Sequence, residues 1–233
     1  MHKFRKTFGY CLLALLGTTT IAATPDPQFN IRGMDASHHQ GQINWRNISP
    51  KNMQFVYLKA SEGGDYTDPR FQENWLSARE QGLRVGAYHV FRLCRDGKVQ
   101  ADNFIHTVPK KSNSLPPVLD LEYDSACLAQ LQKDQLLKQI QVMHDRLQQH
   151  YGKTPIFYTT PNFYHMILMG SFQKTPIWIR SYQAQPQLKD RKWLLWQYSN
   201  QGKISGINTA VDLNVFQGNA QDWKNFLKAQ GVE

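Results

Sequence analysis

The sequence predicts an α/β barrel of eight strands with fewer than eight outer helices, and three observations carry that expectation. Short β-type runs alternate with helical patterns from about Ile31 onward, the signature of repeated βα units and a parallel sheet. Eight runs qualify as strands. Helices separate the early ones, but only short connections join the last three, so the second half of the barrel is expected to be poor in helices. A flat doubly wound sheet is the rival arrangement, yet GMDASHHQG after the first strand lacks the GxGxxG and GxxxxGK(S/T) spacings of phosphate-binding turns.

The strands are expected at Ile31–Asp35, Phe55–Ala60, Arg84–Phe91, Pro117–Glu122, Pro155–Thr160, Ile177–Ser181, Trp193–Tyr198 and Val211–Phe216. Helical periodicity covers Pro69–Gln81, Val99–Thr107 and Asp134–His150. In the last of these Leu136, Leu137, Ile140, Met143 and Leu147 share one face, and the three helices stop near Gly82, Pro109 and Gly152.

A chain of 233 residues is long enough for one such barrel, here residues 31–233, and it shows no repeat or second-domain linker. Ahead of it, Lys3, Arg5 and Lys6 precede the apolar run Tyr10–Leu16 and small residues ending near Ala22 or Ala23. That order reads as a secretory signal peptide over residues 1–23, followed by a short tether at 24–30. The apolar run is well below the roughly 20 residues that span a bilayer, and Cys11 lies inside it, so no membrane or lipid anchor is expected. Secretion or a periplasmic location follows. Cys94 and Cys127 then remain as an even pair in an oxidising compartment, which makes one disulfide the expectation, with two free thiols as the alternative.

The formal charge is +9, and +6 without the three leader cations, which favours polyanionic partners such as nucleic acid or an anionic cell wall. The cations are scattered and no nucleic-acid motif is present, so nucleic acid is not an expected partner. The protein is expected to be a monomer.

In a parallel barrel, functional side chains gather at the carboxyl ends of the strands. There PPVLDLE delivers Asp120 and Glu122 two positions apart, on one side of a strand, with backbones about 6 to 7 Å apart. Glycoside hydrolysis uses such a pair, one carboxyl to protonate the leaving oxygen and one carboxylate to attack, stabilise or position. Crowding raises the pKa of one and leaves the other ionised. The first strand ends in Asp35 and the last carries Asp212, so barrel closure is expected to bring both toward this pair.

Metal binding competes for an acidic cluster, but there is no DxDxDG loop, and His38, His39 and His89 lack HExxH spacing; no metal or cofactor is expected. A serine or cysteine nucleophile is disfavoured by the missing GxSxG elbow. Among the aromatics near strand ends, Tyr88, Tyr158 and Tyr198 are expected to offer stacking faces to a sugar, whereas Phe91, Trp178, Tyr182 and Trp196 read as core.

Seven segments in order, RGMDASHHQGQINW, FVYLKASEGGDYTDPRFQENWLSAREQGLRVGAYHVFR, LPPVLDLE, PIFYTT, PIWIRSY, LLWQYS and VDLNVF, resemble glycoside hydrolase family 25, the Chalaropsis-type lysozymes, from about Arg32 to Phe216. The resemblance implies an irregular TIM-like (β/α) barrel and retaining hydrolysis of the β-1,4 bond between N-acetylmuramic acid and N-acetylglucosamine in peptidoglycan glycan strands. It makes Glu122 the general acid/base and Asp120 its partner carboxylate, stabilising an oxazolinium-like intermediate or acting more directly. Asp35 and Asp212 match cleft acids, and Tyr88, Tyr158, Trp196 and Tyr198 match an aromatic wall. Glu62 matches too, with a loop-capping role as the alternative.

Paired His38 and His39, and the Cys94–Cys127 pair beside Glu122, depart from the common pattern of that family. No wall-binding repeat follows the barrel, so targeting is expected from the barrel and its charge. A chitinase-like hydrolase and a non-catalytic wall-binding barrel are the competing functions. The first lacks its usual DxxDxDxE run here, and the second does not explain why both acids are present.

Overall fold

The structure, a computed structural model, describes residues 23–124, 127 and 132–232. The expected leader, apart from Ala23, therefore lies outside the described residues.

Eight strands close a barrel: β1 (Arg32–Ala36), β2 (Phe55–Glu62), β4 (Arg84–Val90), β5 (Val118–Leu121), β6 (Ile156–Thr159), β7 (Ile177–Arg180), β8 (Leu195–Gly202) and β9 (Val211–Phe216), with β1 pairing both β2 and β9. The two-residue β3 (Tyr66–Thr67) folds back on the end of β2. Helices α1 (Phe71–Glu80), α2 (Gly97–Thr107) and α3 (Lys133–Tyr151) follow β3, β4 and β5; the short α4 (Pro161–Phe163) runs into a π turn after β6; α5 (Ala220–Ala229) ends the fold. α3 stops at Gly152, whose φ of 69° is the left-handed cap that glycine takes without a Cβ clash. Among the described residues no helix is long and apolar enough to cross a membrane.

The sheet is not parallel throughout. Neighbours from β1 through β2 to β8 run parallel, but β9 is antiparallel to both β8 and β1. The reason is length: β8 extends to Gly202, past the expected end at Tyr198, and residues 203–210 are too few for a crossover connection, which needs a dozen or more. This reversal positions the site. Parallel strands point their carboxyl ends at the mouth, so an antiparallel β9 brings its first residues there, and Asp212 comes into register with Asp35.

The reversal also sends the chain out at the opposite end, where α5 closes the barrel. Trp223 packs on Phe55 and Phe216 with ring centroids 5.4 and 5.1 Å away, and Leu227 and Val232 join the same interior cluster. The sequence carried a signal for α5 that periodicity alone passed over, because Asn219 and Asp222 form a capping box.

Side chains alternate along each strand between two apolar layers. Phe55, Tyr57, Val118, Ile156, Trp178, Leu195 and Phe216 fill the barrel interior. Met34, Val56, Leu58, Val85, Leu119, Leu121, Phe157, Ile179 and Val215 face the helices. Glycines make room for the inner rings: a Cβ on Gly33 would sit 2.2 Å from the Phe55 ring, and one on Gly86 2.1 Å from Tyr57. Phe29, in the segment ahead of β1, is buried on Trp193 with ring centroids 5.3 Å apart.

A disulfide joins Cys94, in the loop after β4, to Cys127, in the loop after β5, at a Cα–Cα distance of 5.3 Å. Closing a loop across 33 residues restricts the unfolded chain, and the loop-entropy relation puts the effect at about 3 to 4 kcal/mol. Replacing both cysteines by serine is expected to lower the unfolding free energy by that amount in denaturant titrations. A loss below about 1 kcal/mol would show that the loops are held by their other contacts.

Candidate active site

The inward alternation that fills the barrel floor with apolar rings changes character at the mouth. The last inward positions are Asp35 on β1, Tyr88 on β4, Asp120 on β5 with Glu122 just beyond it, Tyr158 on β6, Trp178 and Arg180 on β7, Gln197 on β8 and Asp212 on β9. Together with Tyr182 they line one cavity of about 210 Å³.

A polar network anchors one wall. Gln197 Nε2 donates to both carboxylate oxygens of Asp35 at 3.0 and 3.1 Å, and Asn214 Nδ2 donates to Asp35 Oδ1 at 2.7 Å. The amide oxygen of Gln197 accepts from the hydroxyls of Tyr158 and Tyr182, each at 2.9 Å. Asn214 Oδ1 accepts from Trp178 Nε1 at 2.8 Å. Because both amides are locked at each end, they hold Asp35 and two phenols in fixed positions.

Four carboxyls in so small a volume cannot all ionise freely. Burial pushes Asp35 well above the usual carboxylate range, and the charge of Asp212 adds to it; Gln197 and Asn214 oppose the shift by hydrogen-bonding the ionised form. Asp212 is also raised by burial, against the opposing pulls of its contact with Asp35 and the charge of Arg180. Asp120 is pushed well up, first by burial and then by the charges of Glu122 and Asp35. Glu122 is raised by burial against the opposing pull of Arg180. Tyr88 and Tyr158 stay phenolic, since burial and the surrounding acids push both hydroxyls up.

Two oxygens stand out. Asp120 Oδ1 and Glu122 Oε1 are buried without an aligned hydrogen bond, although Arg180 Nη2 lies 3.0 Å from the latter. Buried polar atoms are nearly always paired, so these two are available to a bound molecule.

Three residues expected at the site lie elsewhere. Glu62 pairs with Lys59 at 2.6 Å and with Arg92, whose guanidinium also reaches Asp124 at 2.9 Å, so it ties the end of β2 to the loops after β4 and β5. Trp196 and Tyr198 point outward. Trp196 is sealed among the outer-layer residues with its Nε1 on the carbonyl of Ser181 at 2.7 Å, and Tyr198 packs against it. Strand parity turns Trp196 out, since Gln197 is in register with Asn214 and faces inward, and Tyr198 is the extra residue of a β-bulge between Gln197 and Ser199. The aromatic wall consists instead of Tyr88, Tyr158, Trp178 and Tyr182, the last two of which read as core in the sequence.

Arg180, Gln197 and Asn214 carried no signal of their own, though Arg180 could have been reached by counting two positions along β7 from Trp178. His38, which had no derived role, ties the turn after β1 to the segment before α1: its Nδ1 and its backbone N–H lie 2.7 and 3.0 Å from Asp68 Oδ2. His39 stacks on it with ring centroids 4.0 Å apart.

This barrel with acids at its mouth has counterparts among known proteins. The model of the glycosyl hydrolases family 25 matches residues 34–207. The chain belongs to that family. Among family 25 relatives, lysozyme M1 of Streptomyces globisporus is 32% identical over 208 residues, 84% of this chain and 71% of that protein. Protein YegX of Escherichia coli K12 is 35% identical over 205 residues, 85% of this chain and 74% of its own length. The solved family 25 glycosyl hydrolase of Bacillus anthracis superposes with a TM-score of 0.83 at 37% identity, covering 90% of this chain and 99% of that one. Like it, the present chain is an irregular TIM-like α/β barrel and a glycoside hydrolase.

Proposed function

We propose that the protein is a muramidase that hydrolyses the β-1,4 bond between N-acetylmuramic acid and N-acetylglucosamine in bacterial peptidoglycan, with Glu122 as general acid/base and Asp120 as its partner. Family membership and the lysozyme relative support the activity. The observation that carries the residue assignment is the pair of buried oxygens on Asp120 and Glu122 that lack an aligned hydrogen bond, at the end of one strand in the acid-lined cavity.

Glu122 gives its proton to the glucosamine oxygen as the bond to the muramic C1 breaks. Burial keeps that carboxyl protonated above the pH at which an exposed glutamate would lose its proton. The 2-acetamido oxygen of the muramic residue closes on C1 from the other face, forming an oxazolinium-like ring. Asp120 is a poor free nucleophile, because burial and its neighbours oppose its ionisation. It suits a different role, accepting a hydrogen bond from the acetamido N–H and stabilising the positive charge that develops beside it. The Glu122 carboxylate then takes a proton from water as the water attacks C1, which restores Glu122 and retains the configuration.

The expected leader at residues 1–23 and the Cys94–Cys127 bond support export to an oxidising compartment, where the cell wall is the accessible substrate. Digestion of purified peptidoglycan followed by borohydride reduction tests the reading. Muramitol ends are the expected product; glucosaminitol ends would assign the other glycosidic bond, and no new ends would leave a binding protein.

A further inference from the structure

Among the described residues Arg180 is the one cation that lines the cavity, beside four carboxyls. Its side chain is 37% exposed, and its guanidinium reaches Glu122 Oε1 at 3.0 Å without hydrogen-bond alignment and lies 5.8 Å over the ring of Tyr182. It makes no aligned hydrogen bond to any described residue, so beyond its ion pair with Glu122 the fork of N–H donors keeps capacity for a bound group.

Its resting position also runs against the chemistry. A guanidinium beside Glu122 favours the carboxylate, whereas the first step needs the acid. A contact that opposes the reaction in the empty enzyme implies another partner for Arg180 once glycan is bound.

The glycan has one group suited to that role. Of the two sugars only muramic acid can carry a negative charge, on the carboxyl of its 3-O-lactyl ether, and it does so only where no stem peptide is amide-bonded to that carboxyl. Four acids make the cavity hostile to any anion, and a guanidinium in their midst is what would let a carboxylate enter.

We propose that Arg180 reads the free lactyl carboxylate of a peptide-free muramic acid residue, leaving Glu122 for it when the glycan binds. The preferred substrate is then glycan stripped of its peptides, and the reaction class that supplies it is hydrolysis of the lactyl–peptide amide. This rests on the muramidase reading above.

The test uses peptide-free glycan strands and the same strands with the lactyl carboxyl converted to its methylamide, which removes the charge and leaves the rest of the glycan unchanged. The wild-type protein is expected to cleave the free acid with kcat/KM about tenfold or more above the amide, the scale of one charge-assisted hydrogen bond. Arg180→Gln should bring the ratio to about one, and Arg180→Lys, which keeps the charge without the fork, should retain part of it. A wild-type ratio near one, or a Gln variant that keeps the preference, would overturn the proposal whatever the variant's stability. If intact peptidoglycan yields muramitol ends but neither peptide-free strand is cut, this proposal fails alone; if intact peptidoglycan yields none either, the muramidase reading fails and takes this one with it.

Discussion

Glu122→Gln is expected to lower kcat on soluble peptidoglycan fragments by about a hundredfold to ten-thousandfold, the range typical of a lost general acid/base. The amide keeps the shape of the carboxyl and its place near Arg180, so KM should change little. Release of reducing ends gives the rate, and the thermal midpoint checks the fold. The wild-type pH profile carries a second sign of the same group. Activity should fall on the alkaline side as Glu122 loses its proton, at a pH above the ordinary glutamate value because burial raises it. A rate loss below tenfold would move the proton-donating role to another of the four carboxyls.

Asp120→Asn should act in opposite directions on activity and stability. Losing the carboxylate that faces a developing cation is expected to lower kcat/KM by about a hundredfold to a thousandfold. The stability effect follows from linkage. Asp120 has a folded-state pKa above its unfolded value, so between those values the folded protein binds the extra proton. Its contribution is therefore fully present below the ordinary carboxylate pKa, about 4, and is lost as pH rises through the folded value. Near neutrality the wild-type site is strained by buried like charges, and an uncharged amide relieves that strain. The variant should unfold about 0.5 to 2 kcal/mol later at pH 7, the range of single stabilising substitutions, with the gain shrinking toward pH 4. Denaturant midpoints at the two pH values measure it. A variant destabilised at pH 7 would mean that Asp120 is ionised and satisfied in the resting enzyme.

Much of the site could be read before folding, because two short-range regularities carry it. A strand alternates its side chains, so Asp120 and Glu122 had to share a face, and a βα repeat directs that face to the barrel mouth. Asp35 at the end of β1 follows from the same rule. Asp212 reaches the mouth only because β9 runs backwards, a direction decided by the short return after Gly202. The resemblance to family 25 named Trp196 and Tyr198, and there the missing quantities were the parity of β8 and its bulge at Tyr198. The run LLWQYS is apolar or aromatic at nearly every position, so its pattern does not say which residues face in.

The sequence by itself determined the barrel, its lopsided helices and the placing of two acids two positions apart, since these depend on periodicity and on neighbours along the chain. Only the tertiary structure decided which groups surround those acids. Gln197, Asn214 and Arg180 meet Asp35 and Glu122 from strands far away in the chain, Tyr182 braces Gln197, and the antiparallel register of β9 selects the inward set. Strand closure is a long-range event, and no local pattern encodes which inward residues it brings together.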